Sequence, residues 1–359
     1  MVKNIAVVGC GKISDIYLSN ITNVFDNVCV YAVCDLDEDK AKEKSEKYDA
    51  KIMSLDEILQ DKAVDIVLIL TTPSTHYNIC RKSIKAKKSV YVEKPLSVTY
   101  KEGAELVRLA SENKVLLGCA PDTFMGAGIH TARKIIDDGL IGEIIGASAF
   151  MVSAGPESWH PSPEFYYKQG GGPLFDMGPY YLTALANLIG PVKSVIGMSN
   201  CKRKQRTITS EQKYGQKIAV DVDTHINALV NFENGATGNI IMSFDVFGSK
   251  LPKIEIYGTK GSLIVPDPNK YGGEVLLKQH TDSDFKPQQL VNSFSENSRG
   301  LGVSDMAYCL INGTDRNCAN GKLALHILEI MEKIMKSSEK HTEIEIISSF
   351  ERPEISPIL

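Results

Sequence analysis

The sequence predicts an α/β fold in two parts: a doubly wound parallel sheet, then an α+β domain with a large, mostly antiparallel sheet. Three observations carry that prediction. Residues 1–120 alternate short apolar, β-branched runs with helical stretches, the grammar of strands covered on both faces. From Val192 onward, strand-like runs instead follow one another with hairpin punctuation, as in Ile254–Ile264 around Gly258-Thr259-Lys260-Gly261. A chain of 359 residues also exceeds one ordinary domain. The boundary is expected near Ala120-Pro121, giving domains of residues 1–121 and 122–359.

Composition narrows the function. With 43% hydrophobic and 23% charged residues, the chain is of the ordinary globular kind. A net charge of −4 supplies no broad basic field, which argues against nucleic acid as a partner. The one basic run, Lys202-Arg203-Lys204-Gln205-Arg206, reads as a solvated loop. The eight cysteines show no CxxC spacing and several sit inside apolar runs, so they read as buried free thiols in a reducing compartment. No apolar stretch reaches the length of a secretory core or a membrane span, so a soluble cytoplasmic protein is expected.

Taken in order, Lys3–Val8 is a strand running directly into Gly9-Cys10-Gly11-Lys12-Ile13-Ser14. This is G-x-G-x-x-G with serine in the last place. Gly9 permits a tight turn and Gly11 lets the backbone approach a pyrophosphate, while the helix from Lys12 to about Asn20 points its first amides at the phosphates. The next strand, Val28–Cys34, ends in Asp35. That carboxylate lies 24 residues beyond Gly11, close to the roughly 20 expected of a group that holds the adenosine ribose. It accepts hydrogen bonds from ribose hydroxyls and repels a 2′-phosphate, which favours NAD over NADP. Asp35 also suits the N-cap of a helix expected over Leu36–Tyr48.

Ser54-Leu55-Asp56-Glu57 is a capping box. The strand Val64–Leu70 ends in Thr71-Thr72-Pro73-Ser74-Thr75-His76, where Ser74 or Thr75 caps a helix to about Ala86. His76 either touches a cofactor or completes that helix's first turn. The apolar run ending at Val92 is followed at once by Glu93-Lys94-Pro95. Ligands of open α/β sheets bind just past the carboxyl ends of strands, so these residues stand at the rim of a cleft. Lys94 is there as a catalytic group or as a solvated charge. A helix (Thr99–Asn113) and a strand (Val115–Cys119) complete the domain.

In the second part, a helix over Ala127–Asp138, closed by Gly139, leads to a long strand, Glu143–Val152. A loop rich in proline and aromatics follows, with the sole tryptophan, Trp159, beside His160. Gly170-Gly171-Gly172-Pro173 marks a close backbone approach and a helix start. Asp176 and Tyr180, four apart, share one face of that helix. Pro179 removes an interior helix bond, so the helix is strained at its start or begins nearer Asp176. A last amphipathic helix is expected over Leu323–Lys336.

The set Gly9-x-Gly11-x-x-Ser14, Asp35, Thr72-Pro73 with His76, Glu93-Lys94-Pro95, and Gly170-Gly171-Gly172 with Asp176 and Tyr180 resembles the Gfo/Idh/MocA oxidoreductases over essentially the whole chain. The resemblance implies a Rossmann domain and an α+β domain whose open sheet joins subunits into a homodimer or homotetramer. It implies hydride transfer between a nicotinamide cofactor and a secondary alcohol or ketone of a sugar, inositol or related polyol. Lys94 is then catalytic, with a cis link to Pro95, and Asp176 contacts substrate. Tyr180 stands where many members carry histidine, which is similar to the glucose–fructose oxidoreductase and dihydrodiol/xylose dehydrogenase branches, where tyrosine transfers the proton.

On that resemblance the NAD contacts are Gly9, Gly11, Lys12, Ile13, Asp35, Thr71, Pro73, His76, Glu93 and Lys94. The substrate contacts are Lys94, Asp122, Trp159, His160, Asp176 and Tyr180, with no metal. Desolvation beside the nicotinamide lowers the lysine's pKa, Tyr180 exchanges the hydroxyl proton with His160 as supplement or substitute, and Asp176 orients neighbouring hydroxyls. Two readings from other classes remain: a glycoside hydrolase using transient oxidation by NAD, and a non-catalytic NAD-binding sensor. The intact Lys94, Asp176 and Tyr180 speak against the sensor.

Overall fold

The computed structural model describes residues 1–359 as two compact units. One comprises Met1–Gly126, Phe294–Leu328 and Pro353–Leu359; the other comprises Ala127–Ser293 and Glu329–Arg352. The single boundary expected near residue 121 is therefore corrected: two later stretches return to the first unit. Asp122 shows why. Its Oδ2 accepts the amides of Gly300 (3.1 Å) and Gly302 (2.9 Å), an attachment across 178 residues that no local pattern announces.

The first unit begins β1 (Lys3–Val8), α1 (Ser14–Asn23), β2 (Val28–Cys34), α2 (Glu38–Tyr48), β3 (Lys51–Ile52) and α3 (Leu55–Gln60). It continues β4 (Ile66–Ile69), α4 (Pro73–Lys85), β5 (Ser89–Val92), α5 (Tyr100–Asn113) and β6 (Leu117–Cys119). All strands pair in parallel in the order β3-β2-β1-β4-β5-β6. The order reverses between β1 and β4, which sets the ligand crevice at their carboxyl ends. Their side chains are buried on both faces, hence their unbroken apolar runs.

Three expected helix starts shift, each for a local reason. α1 opens at Ser14, not Lys12, because the Ser14 amide and Oγ both donate to the Gly11 carbonyl and close a turn first. α2 opens at Glu38, capped by Asp37, whose side chain accepts the Lys40 amide; Asp35 is therefore not a cap. α4 opens at Pro73 with Thr72 as N-cap, two or three residues before the expected Ser74 or Thr75, because proline suits the first helical position.

The second unit begins α6 (Ala127–Asp137), β7 (Ile144–Val152) and α7 (Gly172–Ile189), then β8 (Val192–Asn200), β9 (Gln205–Thr207), β10 (Lys217–Ala219), β11 (His225–Phe232) and β12 (Thr237–Ser243). It goes on through β13 (Ile254–Gly258), β14 (Gly261–Val265), β15 (Leu276–Gln279) and β16 (Lys286–Pro287). After α8 (Leu301–Asn312) in the first unit comes α9 (Gly321–Lys340), within which the chain passes to the second unit, and β17 (Ile344–Glu345) closes the list. Nine strands form one sheet, β16-β15-β14-β13-β7-β12-β11-β8-β17, antiparallel except for the β7–β12 pair.

α7 packs across β7, β11 and β12. Along β11, Ile226, Ala228, Val230 and Phe232 are buried while Leu229 is exposed, the period-two pattern of a sheet with one covered face. Ile145, Ile196, Met198 and Leu229 remain exposed, and residues including Ser148, Ile196, Leu229 and Tyr257 line a shallow groove of about 480 Å³ on this sheet. No helix is long and apolar enough to cross a membrane.

Candidate active site

The glycine loop is shaped by its surroundings. Gly9 has φ +104°, and a Cβ there would lie 2.8 Å from the Leu70 carbonyl carbon, so only glycine lets β1 turn this close to β4. A Cβ at Gly11 would meet nothing within 4 Å, which leaves room for a phosphate over the loop. Asp35 locks the loop: Oδ2 accepts the Cys10 amide (2.6 Å) and Oδ1 the Asp37 amide (2.9 Å). A carboxylate oxygen can accept more than one hydrogen bond, so acceptor capacity remains for ribose hydroxyls. These residues fit a dinucleotide with an unmodified ribose. Lys12 and Ile13 lie exposed in the turn before α1.

Past β4, Thr71 is half-buried and Pro73 exposed, with Thr75 Oγ1 donating to Thr71 Oγ1 (2.7 Å). His76 is placed otherwise than expected of a cofactor contact. Its ring is fully buried, with Nδ1 2.7 Å from the Pro95 carbonyl and Nε2 3.0 Å from the Thr71 carbonyl. Main chain occupies both nitrogens, and burial holds the pKa below the ordinary histidine value. His76 ties the strand-end of β4 to the turn after β5.

Lys94, half-buried, follows the end of β5 and is joined to Pro95 by a cis peptide. Its amide donates to Glu93 Oε2 (2.9 Å), and Glu93 Oε1 accepts the buried Tyr17 hydroxyl (2.8 Å) from α1. Glu93, itself half-buried, thus braces the lysine's backbone. Asp122, expected at the substrate, is buried and holds the start of α8 through Oδ2.

In the second unit, α7 runs unbroken from Gly172 with Pro179 inside it, where a later start was one expectation. Gly171 caps it, and a Cβ there would lie 2.6 Å from the Phe165 carbonyl oxygen, while Gly170 and Gly172 have φ +86° and +85°, so each of the three positions favours glycine. Asp176 is half-buried and Tyr180 buried on this helix. Trp159 is 64% exposed, and His160 Nδ1 accepts the Ser162 amide (3.0 Å). Arg206, read from sequence as part of a solvated run, is buried: it pairs with Glu157 (2.9 Å) and Asp245 (2.7 Å). Sequence reasoning missed it, together with Tyr17 and Phe165. No sequence signal marks Arg206: Gln205-Arg206-Thr207 is polar throughout, and the burial of Arg206 alone among the three comes from the fold.

Strand order, glycine loop and a carboxylate closing β2 define an NAD-binding oxidoreductase architecture. The chain belongs to the GFO/IDH/MocA family: residues 3–120 match the oxidoreductase family's NAD-binding Rossmann fold, and residues 129–264 match the GFO/IDH/MocA C-terminal domain. Myo-inositol 2-dehydrogenase of Thermotoga maritima is 26% identical over 262 residues, 72% of this chain and 74% of that one. D-xylose dehydrogenase of Paenarthrobacter nicotinovorans is 26% identical over 240 residues, 63% of this chain and 61% of that one. Levoglucosan dehydrogenase in complex with NADH superposes with a TM-score of 0.82 at 17% identity, covering 97% of this chain and all (100%) of that one, a likeness of fold.

Proposed function

We propose that the protein transfers hydride between NAD and a secondary alcohol or ketone of a sugar, inositol or related polyol. The observation that carries the reading is the bracing of Lys94. Its amide is held through Glu93 and the next carbonyl through His76, so a lysine at a strand's carboxyl end is fixed rather than left as a loose surface charge. Inositol and xylose dehydrogenases among the relatives support the substrate class.

Bound NAD supplies the hydride acceptor. Glycine-loop amides and the start of α1 hold its phosphates, and Asp35 holds its ribose and disfavours NADP. Lys94 Nζ hydrogen-bonds the reacting oxygen and stabilises charge that develops on it. Tyr180 Oη takes the hydroxyl proton in oxidation and returns it in reduction. The Asp176 carboxylate accepts neighbouring hydroxyls and sets which carbon reacts. His160 Nδ1 already accepts a backbone amide, which favours Tyr180 for the proton. The first unit is the nucleotide-binding part. The second binds substrate and self-associates, as a homodimer or homotetramer, through its open sheet face.

The test is nicotinamide absorbance with NAD, and NADP in parallel, across polyols, sugars and sugar acids. Reduced cofactor formed with NAD and one such alcohol is the expected result. Sugar released from glycosides without net reduced cofactor would replace this reading with transient-oxidation hydrolysis.

A further inference from the structure

The stretch from Gly155 to Tyr167 is anchored with unusual firmness for residues so open to water. Glu157 is buried against Arg206, which also reaches Asp245 and the Phe244 carbonyl (2.8 Å). The Thr209 and Ser210 amides both donate to the Glu157 carbonyl (3.0 and 2.9 Å), and Ser210 Oγ donates to the His160 carbonyl (2.9 Å). Underneath, Tyr166 and Tyr167 pack with Ile208, Ile218, Val220 and Phe244 in a small core of their own. The β9–β10 hairpin therefore acts as a strap over this stretch.

What the strap holds up is a row of rings. His160 lies edge-on between Trp159 (5.5 Å between centroids) and Phe165 (5.3 Å), and Phe165 stacks on Tyr166 at 4.1 Å and 30°. Trp159 is 64% exposed and Phe165 56%. Rigidly held aromatic faces in water mark a binding surface.

Three observations say what covers it. Two part-exposed aromatic side chains offer at most a few hundred Å², well short of the roughly 800 Å² per side of a stable protein interface. The edge is polar: the Glu164–Lys213 ion pair stands beside Phe165, giving hydroxyls both acceptors and donors. And the row is fastened to the start of α7, since the Phe165 carbonyl lies against Gly171, so it adjoins the helix that carries Asp176 and Tyr180. A pyranose ring meets all three conditions: its C–H face lies on the negative face of an aromatic ring and its hydroxyls reach the rim.

We propose that Trp159 and Phe165 form a stacking subsite for a second sugar ring, so that the substrates are glycosides or oligosaccharides whose neighbouring ring is oxidised. This rests on the hydride-transfer reading above. It also separates two tasks within the second unit: Asp176 and Tyr180 address the reacting ring, while the strapped row selects what is attached to it.

Trp159 is the chain's only tryptophan, so emission excited at the long-wavelength edge, where the fourteen tyrosines do not absorb, reports this surface. The full-length protein with saturating NAD is titrated with α- and β-linked glucose disaccharides and with glucose, and the kcat/KM ratio of disaccharide to monosaccharide is measured alongside. The expected result is a saturable emission change with one disaccharide at concentrations about tenfold below any response to glucose. Phe165→Ala weakens that response and lowers the kcat/KM ratio, each about tenfold; Phe165→Leu, which keeps an apolar contact with Tyr166, is the substitute if the alanine variant does not fold. Equal responses to both sugars, or an unchanged ratio in the variant, would overturn the subsite. So would an emission shift without sugar that tracks protein concentration and light scattering, which would assign the surface to a second copy of the chain. Disaccharide-specific emission with no reduced cofactor from any sugar would support the subsite and overturn the hydride-transfer reading instead.

Discussion

Lys94 is the residue on which side-chain chemistry and backbone placement meet. Lys94→Ala is expected to lower kcat by about 10²–10⁴ while the NAD dissociation constant, from calorimetry, stays near wild type. Wild-type turnover would remove Lys94 from the mechanism. His76 acts on the same lysine at one remove, through the Pro95 carbonyl. His76→Leu should reduce kcat roughly 10–10²-fold with KM for NAD little changed, because a misplaced group loses rate before affinity. Asp35→Ala is expected to raise NADP turnover relative to NAD, read as the ratio of the two kcat/KM values. Asp35 and Lys94 were legible in the sequence because a strand end and a spacing are local facts. The placements of His76 and Asp122 were not, since His76 reaches Pro95, 19 residues on, as well as the nearby Thr71, Asp122 reaches about 180 residues on, and all these partners are main-chain carbonyls and amides with no side-chain signature.

At the scale of elements, α7 sets a conflict between helix stability and site geometry. Pro179 lacks the N–H that would reach back to Phe175, next to Asp176, and its ring crowds that carbonyl. Pro179→Ala should raise the melting temperature, since a proline in a helix interior costs about 3 kcal/mol relative to alanine, yet lower kcat/KM as the restored backbone bond to Phe175 shifts the turn carrying Asp176 and Tyr180. Calorimetry and steady-state kinetics on one preparation would show whether the two effects separate. The helix itself was readable from its leucine periodicity and from Pro173. Its unbroken passage through Pro179 was not, because packing on β7, β11 and β12 outweighs the local penalty. The β9–β10 strap was unreadable for a similar reason: a run of Lys and Arg looks solvated until a buried Glu157 and Asp245 are known to face it.

For the whole molecule, acid stability follows from two buried histidines. Burial lowers the pKa of His76 and of His130 below the ordinary 6.5. The unfolded chain then takes up protons near pH 6.5 that the folded chain resists, so their contribution is present above that pH and is lost as pH falls through the depressed folded values. The melting temperature should drop on acidification below about 6.5, and His76→Leu should flatten part of that slope. The open sheet face makes a separate prediction. Leu229→Glu, on its exposed row, should shift the mass measured by light scattering toward the monomer while leaving the fold's circular dichroism unchanged.

The interleaving of the chain also bears on how it is made. Translation supplies the first unit's sheet early, but Phe294–Leu328 and Pro353–Leu359 belong to that unit as well. At about 5–20 residues per second, the stretch from Ala127 to Ser293 alone delays α8 by roughly 10–30 s, while Asp122 waits without the amides it holds in the finished protein. The part of the protein synthesised first is thus the last that can close, and a nascent chain stalled before residue 294 would expose a nucleotide fold with one side open to chaperones.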